Sequence, residues 1–118
     1  MAYKWTIPVV ILAATASGQS AVQDFGGGQM RMGLIMPAAW TAAHLTFLVS
    51  DSPTGTFTPL YTQAGAEVDL TVAVSKAYSL DTTVLNLAPF RWVIVRSGTN
   101  AVPVQQGGDR TIYFTFQR

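Results

Sequence analysis

The chain has 118 residues, enough for one domain (residues 1–118) with its own hydrophobic core but too few for two. Its net charge is +1, so it has no basic surface on which a nucleic-acid backbone would bind. Cysteine is absent, which excludes disulfides and favours a reducing compartment. Charged residues make up 11% of the chain, against roughly a quarter in typical soluble domains. Two interpretations of so neutral a surface stay open: a Thr-rich sheet surface in solvent, or a surface covered in an assembly.

The first patterned segment is "KWTIPVVILAATASGQS", residues 4–20. A cation, an apolar run and small residues outline a secretory signal peptide. Pro8 and the β-branched run around it favour a strand instead, because the core of a signal peptide is helical and rich in leucine. The run is also shorter than the ~20 apolar residues that a transmembrane helix needs. We therefore predict a first β-strand, closed by a turn at "ASGQS".

Four later runs alternate apolar and polar residues with period two, which is the spacing of half-buried strands. Each run has a predicted inward set: Met30, Met32, Leu34 and Met36; Leu45, Phe47 and Val49; Val68, Leu70, Val72 and Val74; Ile112, Phe114 and Phe116. The predicted outward residues are His44, Thr46 and Ser50; Glu67, Asp69 and Thr71; Thr111, Tyr113 and Thr115. The run "FRWVIVRS" is apolar on both faces and predicts a central strand.

Turn residues separate these runs at intervals typical of a sandwich or barrel. A hairpin is predicted around Ala64 and Gly65, and one helical turn between Asp81 and Pro89. The one long irregular segment, Ser97–Asp109, is where a rigid sandwich would carry a binding loop. The predicted fold is all-β: a single-domain antiparallel β-sandwich of about seven to eight strands, jelly-roll-like or Greek-key in its connections.

No catalytic, cofactor-binding or metal-binding site can be assembled from the sequence. Gly28 and Gly33 have the spacing of a phosphate-binding loop, but Leu34 and Ile35 replace the lysine and hydroxyl that should follow. His44 is the only histidine, and no nucleophile turn or further metal ligand accompanies it. The aspartates are scattered, and all but Asp69 lie beside turn residues. The prediction is therefore a non-enzymatic protein without a cofactor, while a structural Ca²⁺ held in loops stays open.

Two groups of side chains have competing interpretations. Trp5, Trp40, Trp92 and Tyr61 suit a core, a protein interface or a platform on which sugar rings stack. Arg91, Arg96, Arg110 and Arg118 suit either solvated strand ends or a polar rim that pairs with the carboxylates of a partner.

The segment "MPAAWTAAHLTFLVSDSPTGTFTPLYTQAGAEV", followed by "RWVIVRSGT" and "VPVQQGGDRTIYF", resembles small β-sandwich structural proteins of tailed bacteriophages. The likeness lies in the Pro-Ala-x-Trp-Thr stretch, the "LTF…S" strand, the "LY…G…V" hairpin and the Arg-rich ending, and it runs from about Trp5 to the C-terminus. It implies a virion component: a capsid decoration (cement) protein, a head-fibre base or a tail accessory module.

This resemblance sets the functional expectations. The protein would bind the major capsid protein or other virion proteins on the outside of a head assembled in the host cytoplasm, and would stabilise the lattice. A homo-oligomer is expected, with a trimer as one form, and neither nucleic acid nor a membrane as partner. The alternative is a carbohydrate-binding or fibre-type adsorption module with a glycan as its ligand.

Overall fold

A computed structural model describes residues 4–28, 31–80, 87 and 89–117. Eight strands run through these residues: β1 (Lys4–Ile11), β2 (Gln23–Asp24), β3 (Arg31–Ile35), β4 (Leu45–Ser50), β5 (Thr58–Pro59), β6 (Ala77–Leu80), β7 (Trp92–Ser97) and β8 (Arg110–Gln117). In the part of the chain that is described, no helix has the length and apolar character needed to cross a membrane.

The strands form two four-stranded antiparallel sheets, ordered β1-β8-β3-β6 and β2-β7-β4-β5. Within them β1 pairs with β8, β2 with β7, β3 with β6 and β4 with β5, so the chain resembles one long hairpin rolled into two layers. The β3–β8 and β4–β7 pairs then join these nested ladders into sheets. This is jelly-roll topology, which confirms the predicted antiparallel sandwich.

The core between the sheets is aromatic. Ile112, Phe114 and Phe116 of β8 are 0–1% exposed, as the period-two pattern predicts. The ring of Phe25 packs against Phe116 with 4.8 Å between centroids, and Phe47 meets Phe114 edge-on at 6.3 Å. Such tilted and edge-on contacts add to the free energy gained by burying the rings. Phe25 follows β2 directly and was not among the predicted inward residues.

β1 confirms the strand predicted at the start of the chain. Pro8 lies within β1, at a position where a backbone N–H is not needed for pairing with β8. Beyond the end of β1, the Leu12 N–H donates to the carbonyl oxygen of Gln19 over 3.3 Å, on the side facing away from β8. The backbone of Pro8, four residues earlier, points to that same side. Its missing N–H therefore removes no bond from the β1–β8 ladder, and it makes the free edge a poorer template for another strand.

The strand predicted over Glu67–Val74 is wrong: this segment forms no strand, although Val68 and Leu70 of its predicted inward set are buried. Glu67 and Leu70 form only isolated bridges, to Tyr61 and Leu45, and Val74 is 44% exposed instead of inward. Leu45 is the first residue of β4, so the chain after Leu70 has no neighbouring strand with which to pair.

Three strands carried no clear signal: β6, with only four residues, and β2 and β5, with two residues each. The hairpin around Gly65 is confirmed, with φ of 94° at Gly65 and a 2.7 Å hydrogen bond from the Thr62 N–H to the Ala66 carbonyl. Met30, Arg118 and most of the predicted helical turn, including Asp81, lie outside the described residues.

Candidate functional surfaces

One end of the sandwich gathers four connections, which we call the loop end: residues 12–22, 36–44, 60–76 and 98–109. Side chains tie these loops to one another. The Asp109 carboxylate accepts the Ala13 N–H over 2.8 Å, and the Gln105 amide donates to the Ala13 carbonyl over 2.8 Å. Hydrogen bonds between loops of this kind restrict their motion.

The segment predicted as a long binding loop, Ser97–Asp109, is instead anchored along its length. It begins as a tight hairpin in which Gly98 bridges Pro103. Further on, Gln106 is only 2% exposed, and its amide accepts the Thr41 N–H over 2.8 Å and donates to the Thr41 carbonyl over 3.0 Å. The tip of the hairpin projects furthest into solvent, with Val102 67% exposed.

A buried ion pair lies on the outer side of β4 and β7. The Arg96 side chain is 4% exposed and donates to the Glu67 carboxylate over 2.6 Å. Its Nε donates to Thr46 Oγ1 over 2.9 Å, while Nη1 donates to Asn100 Oδ1 over 3.2 Å. Both oxygens of Glu67 lie 3.1 Å from the Asn100 backbone nitrogen, which donates to them. These contacts fix the β7–β8 connection to the β5–β6 connection.

This network corrects two predictions. Thr46 and Glu67 were expected to point into solvent, and both do lie on the outward side of their strands. Thr46 is nevertheless 0% exposed, and the Glu67 side chain only 15% exposed, because the Arg96 side chain lies across β4 and covers them.

The remaining charged pairs are exposed. His44 Nδ1 lies 2.7 Å from Asp69 Oδ1, with 49% and 36% of the two side chains exposed. Arg91 binds both oxygens of Asp24 at 2.9 Å. The Arg91 hydrogen bonds hold the pKa of Asp24 below its ordinary value, and Asp24 in turn raises the pKa of Arg91.

The arginines predicted to form one rim have separate surroundings among the described residues. Arg91 pairs with Asp24, and Arg96 is buried with Glu67. Arg110 contacts Gln106, with 3.5 Å from Nε to Oε1.

The aromatic residues proposed as a sugar platform do not come together either. Trp5 stacks on Phe116 with 5.2 Å between centroids, and Trp40 Nε1 donates to the Ala43 carbonyl over 3.2 Å beside the core. Trp92 lies under the guanidinium of Arg91. Tyr61 alone of the four is half exposed, at 50%.

The outer side of the β1-β8-β3-β6 sheet carries charge at one end, where Lys4 of β1 and Arg31 of β3 both lie opposite Gln117 of β8, and its other described outward residues are uncharged. In one row, Tyr113 of β8 lies between Pro8 of β1 and Ile35 of β3, and Ala77 of β6 continues the row. Ile35 is 51% exposed and Tyr113 is 47% exposed. We call the uncharged part of this surface, beyond the row of Lys4, Gln117 and Arg31, the neutral face; its outward residues are Thr6, Pro8, Val10, Gly33, Ile35, Ala77, Ser79, Thr111, Tyr113 and Thr115.

Across the described ranges, no three His, Asp or Glu side chains lie close enough together to hold a metal ion. Comparison with known proteins gives no match for this chain, whether with family models, with curated proteins or with solved structures.

Proposed function

We propose that the protein is a non-enzymatic structural component of a tailed-phage virion: a decoration protein that binds the outside of the head and stabilises its lattice. The sequence resemblance to small phage β-sandwich proteins supports this proposal. Jelly rolls also occur among viral capsid domains, although that parallel is an analogy of fold and carries no function by itself.

The observation that carries the proposal is the neutral face. Away from Lys4 and Arg31 at one end, its nine outward side chains and Gly33 carry no charge, so a partner that covers this part leaves no unpaired ion behind. Half-exposed Ile35 and Tyr113, which are neighbours in the β3–β8 register, provide apolar contact area at its centre.

The border of the neutral face indicates the charge of the partner. Lys4 and Arg31 both pair in register with Gln117, so the two cations flank one end of the face. No described carboxylate forms an ion pair with either of them. A capsid surface that is apolar opposite Ile35 and carries carboxylates opposite this end would be complementary.

A protein of this kind stabilises the particle by mass action. Because it binds the assembled lattice and not free subunits, each bound copy shifts the equilibrium toward the assembled state. Copies that contact several subunits, or that associate with one another, gain further from multivalency. The homo-oligomer expected from the sequence, including a trimer, stays a prediction.

Binding of purified variants to expanded heads that lack the protein tests the proposal. Ile35→Glu places a charge in the centre of the neutral face and is expected to weaken binding at least ~10-fold, because that charge must be desolvated. Val102→Glu is the matched control, since it makes the same kind of change at an exposed site on the loop end. Co-sedimentation measures the bound fraction, and reconstruction of decorated particles locates the chain.

Two results would contradict the proposal at different levels. If Val102→Glu loses binding while Ile35→Glu binds normally, the protein docks through the loop end and the neutral face is the wrong surface. If heads without the protein assemble, package and survive heating as well as complete ones, the stabilising function itself is wrong.

A further inference from the structure

A depression of about 400 Å³ opens beside β5, between the end of β4 and Phe90. This volume is within the usual range for sites that bind small molecules. Its lining includes two aromatic residues, Tyr61 and Phe90, and a polar set made of Ser50, Asp51, Thr56 and Thr58. We call it the β5 groove.

The β5 groove combines an aromatic surface with polar groups, of which Ser50 Oγ already accepts the Ser52 N–H over 3.3 Å. Tyr61 is 50% exposed. Asp51 is exposed, and no described residue donates a hydrogen bond to its carboxylate or forms an ion pair with it. The threonine hydroxyls beside it can both donate and accept.

The charge of the groove restricts the ligand. Among the described residues that line it, Asp51 is the only ionisable acid or base apart from the Tyr61 phenol, and none is Lys, Arg or His. An anionic ligand would meet an uncompensated carboxylate, so it is disfavoured. A neutral ligand with several hydroxyls can instead donate to Asp51, and charge-assisted hydrogen bonds of that kind are the strong ones.

We propose that the β5 groove binds a neutral hexopyranose unit of a glycan. The C–H face of the sugar ring packs on the Tyr61 ring, and two of its hydroxyls donate to the Asp51 carboxylate. The hydroxyls of Thr56 and Thr58 bind further sugar oxygens. This inference does not depend on the proposed function, because it rests on residues outside the neutral face.

Tyr113 provides a matched control within the same chain. It is 47% exposed, nearly the same as Tyr61, and it also lines a depression, of about 370 Å³. The carboxylate there belongs to Asp109, which already accepts the Ala13 N–H, and Arg110 adds a positive charge. That depression therefore differs from the β5 groove in a carboxylate that is already partly engaged and in a cation beside it.

An amide NMR titration of the full chain tests the proposal with defined probes: methyl glucoside, methyl galactoside, N-acetylglucosamine, lactose and maltose, with N-acetylneuraminic acid as the acidic comparison. Concentrations should reach roughly 50 mM, because single-sugar sites of this size bind weakly. We expect at least one neutral probe to shift amides between residues 50 and 61 and the amide of Phe90, and the acidic probe to leave them unchanged.

Variants then separate sugar binding from general surface effects. Tyr61→Ala should weaken the affinity for the responding sugar about 10-fold, since an aromatic contact is worth about that factor. Tyr61→Phe should keep most of the affinity, Asp51→Asn should lower it about 3-fold to 10-fold, and Tyr113→Ala should leave it unchanged. The proposal is overturned if no neutral probe shifts the groove amides, if the acidic sugar binds there instead, or if Tyr113→Ala weakens binding as much as Tyr61→Ala.

Discussion

Replacing Glu67 with glutamine tests how strongly the loop end depends on its buried ion pair. Glutamine keeps the size of the side chain and one acceptor oxygen but removes the charge that faces Arg96. The Arg96 side chain is 4% exposed, so its guanidinium cannot turn to solvent for compensation. Removing one member of a buried pair costs about 3–5 kcal/mol, and a single hydrogen bond to a charged group is worth about 1.5–3 kcal/mol.

The Glu67 side chain is 15% exposed, so water partly compensates for the lost charge. We therefore expect a cost below the full value for breaking a buried pair. We expect Glu67→Gln to lower the free energy of unfolding by about 2–4 kcal/mol, which for a domain of this size lowers Tm by roughly 10 °C. Urea unfolding followed by tryptophan fluorescence measures the free energy, and calorimetry measures Tm. A cycle with Arg96→Met should show a coupling free energy well above zero, because the two side chains contact each other directly.

Asp24→Asn is the control, since it breaks a pair of the same chemistry on the surface. Arg91 binds Asp24 through two hydrogen bonds of 2.9 Å, but 58% and 40% of the two side chains are exposed. Asp24→Asn should lower the free energy of unfolding far less than Glu67→Gln does, and this smaller effect should decrease further with added salt. If Glu67→Gln costs no more than Asp24→Asn, or if the cycle shows no coupling, burial does not strengthen the Arg96 pair and our account of the loop end is wrong.

Two further replacements test other parts of the loop end. Gln106→Ala should lower the free energy of unfolding by about 1–3 kcal/mol, because it leaves two backbone groups of the β3–β4 connection unpaired. Gln105→Ala, at an exposed position, is the control. Equal losses of free energy in the two variants would contradict the role assigned to the burial of Gln106. Gly18→Ala should lower Tm more than Gly65→Ala, although both glycines have positive φ. A Cβ on Gly18 would collide with the Val104 carbonyl, whereas one on Gly65 meets nothing within 4 Å. Equal costs would show that φ alone sets the penalty.

The sequence predicted the parts of the fold that depend on one face being apolar. In β8 every second residue is buried and aromatic or aliphatic, so the period-two pattern identified both the strand and its inward side. β7 was recognised as central because both of its sides are apolar, and it lies between β2 and β4. The short strands β2 and β5 could not be predicted, because two residues cannot display a period.

The polar interior could not be predicted for a different reason. Arg96 reads as a surface residue in a linear pattern, since it follows a run of apolar residues and precedes a turn. Its burial depends on Glu67, 29 positions away, and on Thr46, 50 positions away. Those three residues meet only because β4 lies between β7 and the β5–β6 connection, so the contact is a property of the topology rather than of any local pattern.

The two proposed binding surfaces belong to opposite layers of the sandwich. The neutral face is the outer side of the β1-β8-β3-β6 sheet, whereas β5 is an edge strand of the other sheet. A molecule that docks on a particle through Ile35 and Tyr113 therefore keeps the β5 groove away from its docking surface. A sugar in the groove and a lattice under the neutral face would contact different residues. We therefore expect the two to bind independently. Under the two proposals, this separation would let one small domain stabilise a particle and still present a glycan site to the outside.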